Sequence, residues 1–241
     1  MMRAIILVAG RGSRLTKNLS IQPKTFLKIG KKTILQKLID NFQLNGVKEI
    51  ALVTGYKAYK FNSLKIKKFH NKKWNKTNMV FSLKQANNWL SKYPCIVSYG
   101  DIFYEKKIIK KLKDSKKNIS ICYDKNWKKL WEKRFKNPLD DAETFKISNK
   151  NIIKEIGKKT KDINDIQGQY MGLMKFRPKG WRTFKLCLKK DFLNRYKNLY
   201  LTDVFQKLIE KKYLLYGIKY LGKWAEVDSR KDYLIMKKIF K

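Results

Sequence analysis

The chain has 241 residues, 43% of them hydrophobic, which is enough for one domain with a sizeable core. Its 58 lysines and arginines against 19 acids give a net charge of +39, yet no apolar run approaches the ~20 residues of a membrane helix. Three widely spaced cysteines and one histidine exclude a disulfide framework, a zinc site and a multi-histidine metal centre.

Cys95, Cys122 and Cys187 each sit among apolar neighbours and read as small core residues, and His70 reads as a surface or loop residue. The charge is mostly lysine, 50 against 8 arginines, and is spread over the whole length. Specific nucleic-acid readers cluster charge and favour arginine, so a solvated surface that draws in anionic substrates is expected, with no specific nucleic-acid partner. The first apolar stretch is short and is cut by glycine and arginine, which predicts a cytoplasmic protein without a signal peptide or membrane segment.

In chain order, residues 4–9 form a strand-like apolar run that ends at Gly10 and Gly12, followed by Arg14 and, after a polar loop, by Gln22, Pro23 and Lys24. A buried strand ending in a glycine turn bares backbone N–H groups that can cradle phosphates, and Arg14 and Lys24 add fixed positive charge. The turn is neither a Walker A loop, which needs Gly-Lys-Ser/Thr, nor a dinucleotide fingerprint, which needs a third glycine. Residues 33–45 read as a helix whose apolar face is Ile34, Leu35, Leu38, Ile39 and Phe42, capped by Thr33 and stopped at Gly46.

Further strands are predicted at 49–54, 78–82, 95–98 and 119–123, and helices at 83–90 and 105–113. The second half predicts strands at 142–147, 152–156 and 166–176, then helices at 181–189 and 201–211. It closes with strands at 213–220 and 224–227 and a helix at 229–240 capped by Ser229. This alternation predicts an α/β fold with a mixed, mostly parallel central sheet flanked by helices. Residues 1–241 read as one domain, with a nucleotide-binding half (1–123) and an acceptor-binding half (124–241).

Asp101 follows a strand and Gly100, and Asp228 stands at a strand end before a helix. A lone aspartate in such a place is often a helix cap, but two from distant segments can jointly hold a magnesium ion on triphosphate oxygens. Ligands of open α/β sheets bind beyond the carboxyl ends of the strands, which puts Gly10, Asp101 and Asp228 on a common rim. Asp203, in Leu-Thr-Asp-Val-Phe, reads either as a rim residue or as a first-turn helix residue.

The strand, Gly-x-Gly-Ser-Arg-Leu and Gln-Pro-Lys together resemble the signature of the nucleotidyltransferases that couple a nucleoside triphosphate to a sugar phosphate or alcohol phosphate. The segments Thr77-Asn78-Met79 before Ser82-Leu83, and the block from Asp124 to Ile147, resemble the phosphocholine-cytidylyltransferase-like branch. The resemblance implies a Rossmann-like nucleotide-diphospho-sugar transferase fold and a magnesium-dependent transfer of CMP from CTP. The acceptor would be a small anionic or zwitterionic phosphate or phosphonate of the phosphocholine, aminoethylphosphonate or phosphoglutamine type. Pyrophosphate would be released, and the product would serve surface polysaccharide modification.

The resemblance assigns Lys24, Arg14 and Asp101 to catalysis and Asp101 with Asp228 to magnesium. Leu7, Ala9, Gly10, Arg11, Gly12, Ser13, Arg14, Asn78 and Gly100 would bind nucleotide. Trp131, Arg134, Asp141, Glu143, Gln169 and Tyr170 would bind the acceptor, because acids beside aromatic rings suit a cationic head group. The alternatives are a sugar-1-phosphate nucleotidyltransferase using UTP, dTTP or GTP, and a non-catalytic scaffold or basic nucleic-acid binder. A monomer and a homodimer are both compatible with the sequence.

Overall fold

Successive residues of a strand face opposite sides of its sheet, and the first strand shows this directly. Ala4, Ile6 and Val8 pack into one apolar layer with Leu35, Leu38 and Phe42, while Ile5 packs into the other with Val80, Leu83 and Trp181. The apolar run is therefore buried on both faces, as expected of a central parallel strand.

The computed structural model describes residues 1–12, 22–190 and 198–240. The strands are β1 (Arg3–Val8), β2 (Lys28–Ile29), β3 (Lys32–Thr33), β4 (Glu49–Thr54), β5 (Lys67–His70), β6 (Cys95–Tyr99), β7 (Ile102–Tyr104), β8 (Ile119–Asp124), β9 (Glu143–Ile147), β10 (Ile153–Lys159), β11 (Gln169–Phe176), β12 (Tyr216–Tyr220) and β13 (Trp224–Glu226). The helices are α1 (Ile34–Leu44), α2 (Met79–Gln85), α3 (Asn87–Lys92), α4 (Lys107–Asp114), α5 (Trp127–Arg134), α6 (Pro178–Lys190), α7 (Leu201–Glu210) and α8 (Arg230–Ile239).

Seven strands make the main sheet in the order β12-β8-β11-β6-β1-β4-β5. β11 runs antiparallel to both its neighbours, and every other pairing in the sheet is parallel. The carboxyl ends of β4, β1, β6 and β8 thus share one rim with the beginning of β11, where Gln169 pairs with Asp124 and Tyr170 with Tyr123. The register shifts between Tyr170 and Met174, and Gly172 sits there at φ +68°. A Cβ on Gly172 would lie 2.6 Å from the Tyr99 ring, so this bulge requires glycine.

The mixed, mostly parallel sheet expected from the alternation is present. The Thr33 hydroxyl accepts from the Gln36 N–H (3.1 Å) while the Gln36 side chain accepts from the Thr33 N–H (2.9 Å), and Gly46 ends the turn at φ +72°. Ser229 caps α8 in the same reciprocal way with Asp232. Cys95, Cys122 and Cys187 are free and buried, and His70 is exposed. No helix among the described residues is long and apolar enough to cross a membrane.

One expected strand is a helix. Residues 78–82 begin α2, because the Asn78 side chain accepts from the Met79 N–H (2.9 Å) and Val80 and Leu83 then turn to the core on one face. The helix expected over 83–90 is broken at Ala86 into α2 and α3. β5 and α5 were not expected. In α5, Trp127, Leu130, Trp131 and Arg134 are the buried positions, at i, i+3, i+4 and i+7.

The far side of the sheet closes on an aromatic group. Phe176 is fully buried and its ring lies 5.7 Å from Trp181, 5.3 Å from Phe184 and 6.2 Å from Phe205. Phe176→Ala should therefore cost ~3–5 kcal/mol, read as a lowered midpoint in urea denaturation. A loss below ~1 kcal/mol would mean that these rings do not pack as described.

Candidate active site

A cleft of about 370 Å³ opens on the rim, between the ends of β1 and β6 and the start of α2. Ala9 and Gly10 continue β1 into it, and among the described residues a Cβ on Gly10 would meet nothing within 4 Å, so their side of the turn leaves room for a ligand. Gly12 has a different reason to be glycine: at φ +71° its Cβ would lie 2.7 Å from the Lys24 stem. The glycine turn thus packs directly against that lysine. Gly100 brings the end of β6 against β1, donating its N–H to the Leu7 carbonyl (3.0 Å), and any side chain there would strike Val8.

Lys24 follows Pro23 in a single helical turn and is 8% exposed. Its ammonium donates to Asp228 Oδ1 at 2.8 Å and to Asp101 Oδ2 at 3.3 Å. Asp101 follows β6 after Gly100, whereas Asp228 arrives from far along the chain. The short antiparallel ladder of β7 with β13 brings it there, and the Val227 N–H donates to the Asp101 carbonyl at 2.9 Å.

Arg134, at the end of α5, backs this arrangement and is 5% exposed. It donates to Asp232 Oδ1 (2.9 Å), to Asp228 Oδ2 (3.4 Å) and to Glu226. Asp232 Oδ2 in turn accepts from the backbone N–H groups of Asp228 (3.1 Å) and Ser229 (2.8 Å). Burial alone would lower the Arg134 pKa, but Glu226 and Asp232 raise it above its ordinary value, so the guanidinium stays charged. Burial pushes the Glu226 carboxyl up to about 7, with Arg134 pulling it down and Asp228, Asp101 and Asp141 adding to the rise.

Of the residues singled out in the sequence, Leu7, Ala9, Gly10, Gly12, Lys24, Asn78, Gly100, Asp101 and Asp228 all line the cleft. Ser13 and Arg14 lie outside the described residues. Arg11 leaves the cleft and sits 5.9 Å above the Tyr56 ring. Asp203 proves to be a first-turn helix residue, its carboxylate accepting from the Tyr200 N–H at 2.7 Å.

None of the six expected acceptor residues is among those lining the cleft, and four of them are engaged elsewhere. Trp131 is buried between Trp127 and Trp224, and the cation above its ring (4.9 Å) is the protein's own Arg134. Arg134 is committed to three carboxylates and stands behind the cleft rather than in it. Gln169 is likewise committed, exchanging hydrogen bonds with the Glu143 backbone. Tyr170 stands one ring behind the cleft-lining Tyr99, edge-on at 5.9 Å, with its hydroxyl donating to Met174 Sδ (3.4 Å), and burial raises both phenols above their ordinary range. Asp141 and Glu143 flank this side: Asp141 adds to the charge felt by both Glu226 and Glu143.

The cleft also contains Glu226, Trp74, Tyr99 and Tyr200, which the sequence reading missed, and Thr77 and Ser82, which it quoted in a motif without giving them a role. Glu226 was available from the alternation of a strand, which puts it on the same side as Asp228 two residues on.

Residues 4–155 match the family model of the MobA-like NTP transferase domain. The chain is 39% identical to the CTP:phosphoglutamine cytidylyltransferase of Campylobacter jejuni over 96% of its own length and 97% of the relative's. It is 36% identical to the glucose-1-phosphate cytidylyltransferase of Salmonella typhimurium, but only over 24% of the chain and 23% of that protein. Among solved structures, the CTP:phosphocholine cytidylyltransferase of Streptococcus pneumoniae superposes with a TM-score of 0.78 at 20% identity, covering 100% of this chain and 99% of the other. The inositol-1-phosphate CTP transferase of T. maritima gives 0.75 at 21%, covering 99% and 96%. At such identities the two structures speak to the fold, which is the Rossmann-like nucleotidyltransferase fold. The glycine turn, the lysine and the converging aspartates thus occupy the cleft of an enzyme: the chain belongs to the MobA-like NTP transferase family.

Proposed function

We propose that the protein is a magnesium-dependent cytidylyltransferase that moves CMP from CTP onto a small phosphate of the phosphoglutamine or phosphocholine type and releases pyrophosphate. The observation that carries this reading is the Lys24 ammonium held between Asp101 and Asp228 beside an open glycine turn. The likeness to the Campylobacter jejuni enzyme over nearly both whole chains supports CTP and that acceptor class. The activated product would feed the modification of a surface polysaccharide.

An oxygen of the acceptor phosphate attacks the α-phosphorus of CTP, a new P–O bond forms, and pyrophosphate leaves with the electron pair of the bond it breaks. The acceptor oxygen is already anionic, so no strong general base is needed. Catalysis is then positioning and neutralisation of charge. Gly10 and its neighbours offer backbone N–H groups to the triphosphate, and Lys24 steadies the α-phosphate and the incoming phosphate.

Asp101 and Asp228 suit magnesium. They offer hard oxygens, they approach one cationic centre, and two protein carboxylates leave room for the water and phosphate oxygens that this ion prefers. When bound, the ion supplies further neutralisation of phosphate charge. Arg134 holds Asp228 in place by donating to its second oxygen.

The acceptor side is acidic within a strongly basic protein. Glu226 lines the cleft, Asp141 lies near it, and Glu143 stands behind with Asp203 close to it. That suits an acceptor carrying an ammonium group near its phosphate. Trp131 takes no part in this recognition.

The decisive experiment sets ATP, CTP, GTP and UTP against phosphocholine, phosphoethanolamine, phosphoglutamine and glucose 1-phosphate, with pyrophosphate release as readout. CTP with one of the nitrogenous phosphates should give turnover, and UTP with glucose 1-phosphate as the best pair would overturn the reading. Lys24→Ala should lower kcat at least ~100-fold with the fold retained.

A second prediction concerns pH. Burial is the main cause that raises Glu143 from 4.5 to about 7, with Lys159 opposing and Asp141 and Asp203 assisting. The folded chain therefore holds this proton more tightly than the unfolded one. The resulting stabilisation is complete below about pH 4.5 and is lost as the pH rises through about 7. Glu143→Gln stays neutral throughout, so its denaturation midpoint should fall less steeply over that interval than the wild type's. Equal slopes would show that Glu143 does not titrate there.

A further inference from the structure

Asn71 stands just after β5, is fully buried, and has every polar group engaged. Its N–H donates to the Thr54 carbonyl (2.8 Å), which extends the β4–β5 pairing by one step. Its Oδ1 accepts from the Lys73 N–H (2.9 Å), and because a backbone N–H only donates, this bond fixes which end of the amide is oxygen. Its Nδ2 then donates both hydrogens, one to Thr77 Oγ1 (3.0 Å) and one to Ser82 Oγ (3.0 Å).

Two hydroxyls must therefore accept from Asn71, and they use their own protons differently. Thr77 gives its proton to the Lys73 carbonyl (2.7 Å). Among the described residues no acceptor takes the proton of Ser82, which is 6% exposed and lines the cleft. Ser82 is a hydroxyl whose hydrogen-bond direction is set from behind, with its donor left for a ligand.

The sheet order says which part of the ligand meets it. Asp101 and Asp228 lie on the β6 side of the cleft, whereas Trp74, Thr77 and Ser82 lie on the β4–β5 side, across the end of β1. With the reacting phosphates at the aspartates, the nucleoside reaches toward Ser82. Cytosine presents an unprotonated ring N3 on its pairing edge, and uracil presents N3–H at the same place. Ser82 donates its proton to the first; to accept from the second it must turn that proton to where, among the described residues, no acceptor waits.

We propose that Asn71 and Ser82 form a base-reading pair, in which Ser82 donates to the unprotonated ring nitrogen of cytosine and Asn71 is the positioning residue that fixes its direction. This rests on the cytidylyltransferase reading above.

The test measures Kd for CTP and for UTP, each with magnesium, by calorimetry at physiological salt, and so needs no acceptor. The wild type should prefer CTP. Ser82→Ala should weaken CTP about ten-fold while leaving UTP within about two-fold. Asn71→Asp offers Ser82 only an acceptor, so the serine proton turns back and its lone pair faces the cleft. The CTP/UTP ratio should then move toward UTP, with thermal denaturation checking that the variant folds.

A Ser82→Ala protein with the wild-type ratio overturns the pair whether or not Asn71→Asp folds, and leaves the cytidylyltransferase reading standing. A wild type that does not prefer CTP overturns that reading, and the inference with it.

Discussion

One ammonium group shared by two carboxylates organises this protein. Lys24 reaches Asp101 and Asp228 from a buried position, and an ammonium out of water is tolerated only when it is paired and hydrogen-bonded. Gly12 bares the space that the lysine stem occupies, and Arg134 satisfies the oxygen of Asp228 that Lys24 does not take. Asp232 fixes Arg134 and, through its other oxygen, the backbone of Asp228. The site is therefore a closed chain of alternating charges. Each member is costly alone and acceptable in company.

Much of this was legible in the sequence, and what was not has physical reasons. The strand ends at Gly10, Gly100–Asp101 and Asp228 could be read because an apolar run stops at a small residue or a carboxylate. The capped helix α1 could be read from Thr33, Gln36 and its apolar stripe. Residues 78–82 read as a strand because Val80 and Phe81 favour one, and the capping by Asn78 overrode that preference. The helix α5 was hidden by its lysines, although its buried positions keep helical spacing.

The sequence offers Trp131 and Arg134 as acceptor contacts, but their places follow from burial, which no local pattern reveals. A tryptophan beside acids looks like a binding site for a foreign cation. Here the cation is internal. The Asn71 hub was invisible for a similar reason, since its value lies in contacts with Thr77 and Ser82 that only the folded loop creates.

The charge of the whole and the charge of the cleft have opposite signs. A net charge of +39 spread over the surface gathers anions from solution, whereas among the described residues the cleft is lined by three acids, Asp101, Glu226 and Asp228, beside Lys24. An anion is drawn by the first, and in the cleft Lys24 is the cation that stands among these acids. A phosphate that also carries an ammonium is favoured by both.

The two-stranded ladder of β7 with β13 has an evolutionary corollary. Because it ties the backbone of Asp101 to that of Val227, the gap between the two aspartates is fixed by local pairing and not by the long stretch of chain that separates them. Arg134 on α5 must stay to hold Asp228, but the rest of that stretch, β9 and β10 included, can drift or lengthen without prising the carboxylates apart. One such clasp lets a lineage change what it modifies while keeping how it does so.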